Sequence, residues 1–123
     1  MQNDFKLIKS RVDDELEKIS SFESKSLSQS VKYSLSKGGK RLRPLLLVEA
    51  CNAFSGSKED AIPASVAIEI LHNFTLVHDD IMDEDLIRHG RETVHSKWDV
   101  GTGVLTGDAL LAIALNIIQS YNN

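Results

Sequence analysis

A long apolar segment that runs directly into a cluster of acids dominates this sequence. The segment spans residues 63–85 and ends in the letters LVHDDIMDED. Its apolar residues recur at helical spacings, as at Leu71, Phe74 and Val77, which predicts an α-helix embedded in a core. Because the acids follow the apolar part without a break, we expect this helix to present its carboxylates to a cavity.

The rest of the chain also reads as a series of helices, since it has only two prolines and no stretch that alternates like a strand. The predicted helices are residues 4–20, residues 27–36, the apolar run LLLVEACNAF, a fourth that Pro63 opens, and a fifth from about Leu105. The third helix is expected to be buried, with Cys51 as a small hydrophobe. A polar connection, RHGRETVHSKWDVGTG, precedes the fifth. The pattern predicts an all-α helical bundle.

Composition argues against several classes of function. A net charge of -4 argues against wholesale nucleic-acid binding, and the 123 residues suit one domain. The single cysteine forbids a disulfide framework within the chain and suits a reducing cytoplasm. The N-terminus lacks the apolar region of a signal peptide, and no apolar run approaches the roughly 20 residues that span a bilayer. We therefore expect a cytoplasmic protein without a transmembrane segment.

The acids form the pattern D-D-x-x-D at Asp79, Asp80 and Asp83. Residues four apart share a helix face, so Asp79 and Asp83 point the same way, with Asp80 about a quarter turn round. Mg²⁺ suits such a carboxylate pair, although a solvated acidic helix end would have the same pattern. His72 lies on the same stripe, either as a ligand of the cavity or as a core histidine. His78 lies off the stripe and is expected to be structural.

Two basic groups flank the acids. The loop KGGKRLRP combines flexible backbone with cations and precedes a helix, which favours an anionic phosphate, although a basic surface turn is the alternative. Its cations are Lys37, Lys40, Arg41 and Arg43. A second group follows the acids and consists of Arg88, His89 and Arg91. The arrangement indicates a site for two phosphorylated ligands, one bound through metal and one bound directly by lysine and arginine.

The ordered set GGKRLRP, LHNFTLVHDDIMDEDLIRHGRETVH and GDALL resembles the trans-isoprenyl diphosphate synthases, also called the polyprenyl synthetase family. The matching motifs cover residues 38–111. Terpene cyclases share an aspartate-rich helix but lack the GGKRLRP loop, so they match less well. The resemblance implies the N-terminal part of the all-α isoprenoid synthase fold. It also implies a Mg²⁺-dependent prenyltransferase that condenses isopentenyl diphosphate with an allylic diphosphate.

The resemblance also implies roles for individual residues. Asp79, Asp80 and Asp83 correspond to the first aspartate-rich motif, which holds Mg²⁺, and Arg88 to the arginine that clamps the allylic diphosphate. The residues that correspond to the isopentenyl diphosphate site are Gly39, Lys40, Arg43, His72 and His89. At position 89 the family usually has a second arginine, so the charge available from His89 depends on pH.

Phe74 and Thr75 correspond to positions that limit product length in the family, although plain core packing is the alternative for Phe74. They suggest a short product such as farnesyl or geranylgeranyl diphosphate. Asp108 is expected to be structural or to lie behind the residues that touch ligand. Family members commonly form homodimers.

The second aspartate-rich motif and the helices that close the family's cavity are absent from residues 1–123. We therefore expect residues 1–123 to form the N-terminal part of a polyprenyl synthetase domain, inactive by itself. Without those neighbours, the last helix should expose a large apolar face and favour association. The alternative is a non-catalytic helical unit that associates with another chain.

Overall fold

The computed structural model describes residues 2–19, 24–36 and 39–121, without the side chain of Gln2. The predicted end of the first helix at Ser20, as well as Lys37 and Gly38 of the basic loop, lie outside the described residues. The elements are α1 (Gln2–Glu17), α2 (Lys25–Leu35), α3 (Leu42–Ala53), α4 (Lys58–Met82), β1 (Ile87–Arg88), β2 (Arg91–Glu92), α5 (Val94–Lys97) and α6 (Val100–Gln119). The predicted all-α fold is confirmed, with one short hairpin added.

One core joins all five long helices. The fully buried side chains include one from each of them, namely Val12, Val31, Val48, Ile70 and Leu110. Helix α4 lies at the centre and makes its most extensive contacts with α6 and α3. The helix that carries the acidic motif is thus held in place by most of the domain.

Helix α4 begins before Pro63, so the prediction that this proline opens the helix is wrong. The hydroxyl of Ser57 caps the helix by accepting a hydrogen bond from the backbone N–H of Asp60. Pro63 then lies inside α4, where its missing N–H weakens the ladder. The Tyr121 hydroxyl donates to the Asp60 carbonyl at 2.5 Å and accepts from the Ala64 N–H at 2.9 Å. Tyr121 therefore satisfies backbone groups on either side of the proline.

Helix α3 is only partly buried, contrary to the prediction that it is buried. Only Pro44 and Val48 of this helix are buried. Leu46 is 60% exposed and Phe54, at its C-terminal cap, is 89% exposed. An apolar run indicates where a helix can be buried, but packing decides how much of it is covered.

Helix α6 begins at Val100 rather than at Leu105, because the side chain of Asp99 caps it by accepting from the Thr102 N–H at 2.6 Å. The helix packs closely on α4, since a Cβ at Gly107 would lie only 2.1 Å from Nε2 of His78. The far side of α6 exposes apolar side chains, including Leu115, as expected from the sequence.

By length and composition alone, α6 could cross a membrane. The expectation that no apolar run approaches bilayer length is therefore wrong, because α6 has 20 residues. The same description fits core helices, and α6 packs against α4 and α2 in this structure.

The segment that the sequence indicated as a polar connection contains a two-stranded hairpin. Arg88 of β1 pairs with Arg91 of β2, so the turn between them is His89–Gly90. These two residues have φ of 50° and 76°, the left-handed backbone that a tight type I′ turn requires. Tyr33 of α2 holds the hairpin, since its hydroxyl donates to the Glu92 carbonyl at 2.8 Å. The strands are too short to show an alternating pattern in sequence.

Candidate functional site

A cavity of about 520 Å³ lies between the loop before α3, the middle of α4 and the hairpin. Its lining is strongly cationic and comprises Ser36, Gly39, Lys40, Arg41, Glu69, His72, Asn73, Leu76, Arg88, His89 and Arg91. Four of the five residues predicted for isopentenyl diphosphate therefore meet at one cavity, and the fifth, Arg43, contacts it through His72. Residues far apart in sequence are brought together as the motif analysis expected.

Arg43 and His72 form one unit at the edge of this cavity. A guanidinium only donates, so Nη1 of Arg43 donates to Nε2 of His72 at 3.2 Å. Burial lowers the pKa of His72, and the positive charge of Arg43 lowers it further. The imidazole is therefore neutral at pH 7, with its Nε2 lone pair facing Arg43.

The buried side chain of Arg41 holds the loop before α3 in place and is not part of its exposed cationic surface. Its Nε donates to Asp13 at 2.7 Å, Nη1 to Glu69 at 3.3 Å, and Nη2 to the Leu35 carbonyl at 3.1 Å. The residue is only 7% exposed and has φ of 54°. The grouping of Arg41 with the free phosphate-binding cations is therefore wrong, because its donors tie together α1, α2 and α4.

Asp80 and Arg88 form a bidentate ion pair. Nε of Arg88 lies 3.1 and 3.0 Å from the two carboxylate oxygens, and Nη2 lies 2.7 Å from Oδ1. Asp80 is only 4% exposed, and its hydrogen bonds raise the pKa of Arg88 further above the usual range. Such charge-assisted forks fix both partners, so Asp80 sets the direction in which Arg88 projects from the hairpin.

The helix ends inside the acidic motif, not after Asp85 as predicted. The last helical residue is Met82 and Asp83 is the C-cap. Glu84 has φ of 56°, and the N–H of Asp85 donates back to the Asp80 carbonyl at 2.9 Å. This is a Schellman arrangement with glutamate at the position where glycine is usual. The motif is thus divided between the last helical turn and the cap.

The three aspartates differ in their surroundings. Asp79 and Asp83 are exposed, whereas Asp80 is buried against Arg88. Within the described ranges, no three histidine, cysteine or acidic side chains converge closely enough to hold a metal ion. Mg²⁺ needs only one or two protein carboxylates when water and phosphate oxygens complete its shell. The donor set of Asp79 and Asp83 fits that requirement.

Phe74 and Thr75 lie on α4 one turn before the acids. The Phe74 ring is half-buried and meets His78 edge-on, with ring centroids 4.8 Å apart. The Thr75 hydroxyl donates to the His72 carbonyl at 2.6 Å. Neither contact tests a role in product length, which stays a prediction.

His78 bridges α4 and α6. Its Nε2 lies 3.1 Å from the Val104 carbonyl and 3.8 Å from Asp108. These contacts agree with the structural roles expected for His78 and Asp108.

Two cavity residues on α4 were missed in the sequence. Glu69 and Asn73 are buried and line the cavity beside His72 and Leu76. Asn73 donates to the Glu69 carbonyl at 2.9 Å. Glu69 lies three positions before His72 and four before Asn73, and Asn73 lies three before Leu76, so these spacings place them on one broad helix face, a signal that could have identified them.

Comparisons with known proteins agree on one family. The sequence model of the polyprenyl synthetase family matches residues 24–123. The geranylgeranyl diphosphate synthase of Methanosarcina mazei is 44% identical over 97 residues, which are 79% of this chain and 30% of that relative. The farnesyl diphosphate synthase of Bacillus subtilis is 44% identical over 98 residues, 78% of this chain and 33% of the relative.

Solved structures give the same result. A geranylgeranyl pyrophosphate synthetase from Geoglobus acetivorans superposes with a TM-score of 0.90 at 39% identity, over 96% of this chain and 39% of that one. A crystal structure of a geranylgeranyl pyrophosphate synthase superposes with a TM-score of 0.90 at 45% identity, over 97% and 37%. The chain spans about a third of the length of the curated relatives it matches.

Proposed function

Since this chain belongs to the polyprenyl synthetase family, we propose that the protein it represents condenses isopentenyl diphosphate with an allylic diphosphate in a Mg²⁺-dependent reaction. The observation that carries the proposal is the placement of a cationic cavity beside an exposed aspartate pair on one helix. The family match covers this whole site. The named relatives make geranylgeranyl and farnesyl diphosphate, which supports a short-chain product.

The cavity is proposed to bind isopentenyl diphosphate. Lys40 and Arg43 are exposed cations and supply donors for the diphosphate oxygens. Gly39 lines the same cavity and brings backbone close to the ligand. His72 accepts from Arg43 and so orients it, while His89 adds a further donor from the hairpin turn.

The aspartate end of α4 is proposed to bind the allylic diphosphate. Asp79 and Asp83 would hold Mg²⁺, and Asp80 would hold Arg88. Arg88 uses Nε and Nη2 for its hydrogen bonds to Asp80 and does not use Nη1 for them. Magnesium, when bound there, would supply positive charge to the departing diphosphate. Arg88 would donate to the same diphosphate and stabilise the charge that grows as it leaves. The substrate alkyl chain would extend toward Phe74 and Thr75.

A helical unit that associates with another polypeptide is the second candidate. Helices α3, α4 and α6 form an exposed apolar groove lined by Leu47, Ala64, Ala67, Ile68, Leu71, Ala114, Leu115 and Ile118. Because this groove has no polar lining, it suits contact with another polypeptide better than it suits catalysis by the isolated chain. Homodimerisation and a cytoplasmic location remain proposals from the family.

The site can be tested without turnover by titrating the chain with Mg²⁺ and inorganic pyrophosphate in a calorimeter. Asp79→Asn should weaken Mg²⁺ binding by at least about 10-fold, because losing a ligand should cost no less than losing a group that only orients one. Glu92→Gln removes the same charge from β2 and should leave the affinity unchanged. Equal binding by Asp79→Asn and the unsubstituted chain would refute the metal role.

Activity gives a second test. With labelled isopentenyl diphosphate, an allylic diphosphate and Mg²⁺, we expect no prenyl product from the chain by itself. In a chain as long as its relatives, Asp79→Asn should lower turnover by orders of magnitude. Robust product from the short chain would favour a complete catalyst and contradict this expectation.

A further inference from the structure

The proposed metal ligands lie at the least secure part of α4. Asp83 is the C-cap, and Glu84 after it adopts left-handed backbone that is unfavourable for glutamate. The last carbonyls of a helix have no intrahelical partners, so helix ends fray unless other groups bind them. Metal affinity requires carboxylates that are already held in place. Something outside α4 must therefore fix this turn.

His95 supplies that contact. Its Nε2 lies 3.1 Å from the Asp80 carbonyl and 2.7 Å from the Asp85 carbonyl. Carbonyl oxygens only accept, so Nε2 carries the proton and donates to both. One side chain thus bridges the last turn of α4 and the residue that follows the acidic motif.

Neighbouring contacts hold the His95 bridge in place. The hydroxyl of Thr93, a fully buried residue, donates to the same Asp85 carbonyl at 2.8 Å. On the other side, α6 approaches so closely that a Cβ at Gly103 would lie 3.1 Å from Cβ of His95. The base of the His95 side chain is therefore held against α6, while its ring nitrogen reaches the end of α4.

We propose that His95 is a positioning residue for the Mg²⁺ site, which it serves by fixing the turn that follows Asp83. This inference rests on the proposed function of Asp79 and Asp83. His95 touches neither carboxylate, and its effect passes through the backbone of Asp80 and Asp85. Partners that orient metal ligands typically change metal affinity by about 10–100-fold when they are removed.

Two substitutions separate the donor from the ring. In His95→Gln the side-chain amide nitrogen reaches the place of Nε2, whereas in His95→Asn it reaches only that of Nδ1 and falls short of both carbonyls. Lys97→Ala is the control for general loosening of α5, because Lys97 contacts the Tyr33 ring at 4.5 Å and not the aspartate turn. Urea denaturation of each variant gives its stability separately.

The first measurement is Mg²⁺ affinity in the presence of inorganic pyrophosphate. NMR monitors this titration through the Asp79 and Asp83 amide signals of the folded chain. His95→Asn should bind Mg²⁺ about 10–100-fold more weakly, and His95→Gln should return to within about threefold of the unsubstituted chain. Lys97→Ala should not change the affinity. Unchanged affinity in His95→Asn, or an equal loss in Lys97→Ala, would overturn the proposal.

The second measurement is amide hydrogen exchange at Glu84 and Asp85 in the metal-free chain. His95→Asn should speed exchange there by about tenfold or more, and His95→Gln should not. If His95→Asn leaves this exchange unchanged, the positioning role is overturned whatever the metal does. If exchange responds as expected but the unsubstituted chain binds no Mg²⁺ with pyrophosphate, the proposed function fails and the positioning of the turn stands.

Discussion

Arg41 and Arg43 are two residues apart in the basic segment KGGKRLRP, where Arg41 is the N-cap of α3 and Arg43 lies in its first turn, yet their side chains have different roles. Arg41 is buried and donates to Asp13, Glu69 and the Leu35 carbonyl, whereas Arg43 is exposed and donates to His72. We predict that Arg41→Ala destabilises the fold and that Arg43→Ala does not. The comparison is internally controlled, because both substitutions remove one arginine from the start of α3.

The magnitude follows from what Arg41→Ala would leave behind. Removing one partner of a buried ion pair costs about 3–5 kcal/mol, because the other charge stays buried without compensation. Glu69 is in that position, with its side chain 7% exposed, but Asp13 is 36% exposed and water would partly replace its contact. We therefore expect a loss near the lower bound, about 3 kcal/mol. Arg43→Ala should change the free energy of unfolding by less than about 0.5 kcal/mol, as is usual at exposed positions.

Acid sensitivity gives an independent check on Arg41. Burial raises the pKa of Asp13, but hydrogen bonds from Lys9 and Arg41 outweigh it, so the net pKa is lowered. A carboxyl with a lowered folded-state pKa stabilises above its unfolded value of about 3.9, and this stabilisation is lost as pH falls through the folded-state pKa. In Arg41→Ala the pKa of Asp13 should be lowered less. The free energy of unfolding should therefore depend less on pH below about pH 4 in this variant.

Urea unfolding followed by circular dichroism at pH 7 measures both variants. Arg41→Ala should shift the midpoint with little change in slope, since the surface exposed on unfolding is similar. A loss below about 1 kcal/mol for Arg41→Ala, or equal losses in the two variants, would show that the buried contacts do not carry the stability assigned to them.

Three further predictions concern α4 and its neighbours. Gly107→Ala should destabilise by about 1–3 kcal/mol because the new methyl group meets His78, whereas the methyl group of Gly101→Ala would make only an ordinary contact with Oδ1 of Asp99 at 3.6 Å and should stabilise by up to about 1 kcal/mol; similar thermal shifts in the two variants would contradict the close helix contact. Glu84→Gly should stabilise by about 1 kcal/mol by relieving left-handed backbone, and a loss in urea unfolding would contradict the cap. Pyrophosphate should raise the lowered pKa of His72 in an NMR titration, because an anion favours the imidazolium; an unchanged pKa would argue against anion binding there.

The sequence by itself was enough for the helices, the motifs and the family. Helical spacing is a local property, so the periodic apolar residues identified each long helix. The N-caps Ser57 and Asp99, however, place the starts of α4 and α6 earlier than predicted. Cations and acids in a fixed order identified the family, because those residues are read directly from the chain. The hairpin turn at His89–Gly90 was missed, since its strands have only two residues each.

Only the tertiary structure decided which charges are free to meet a ligand. The basic loop does not show that Arg41 is consumed by Asp13 and Glu69, because each partner is 28 positions away. The acidic motif likewise does not show that Asp80 is buried against Arg88 while Asp79 stays exposed. Residue type and spacing determine what a side chain can bind, whereas burial and competing partners arise only when distant segments pack.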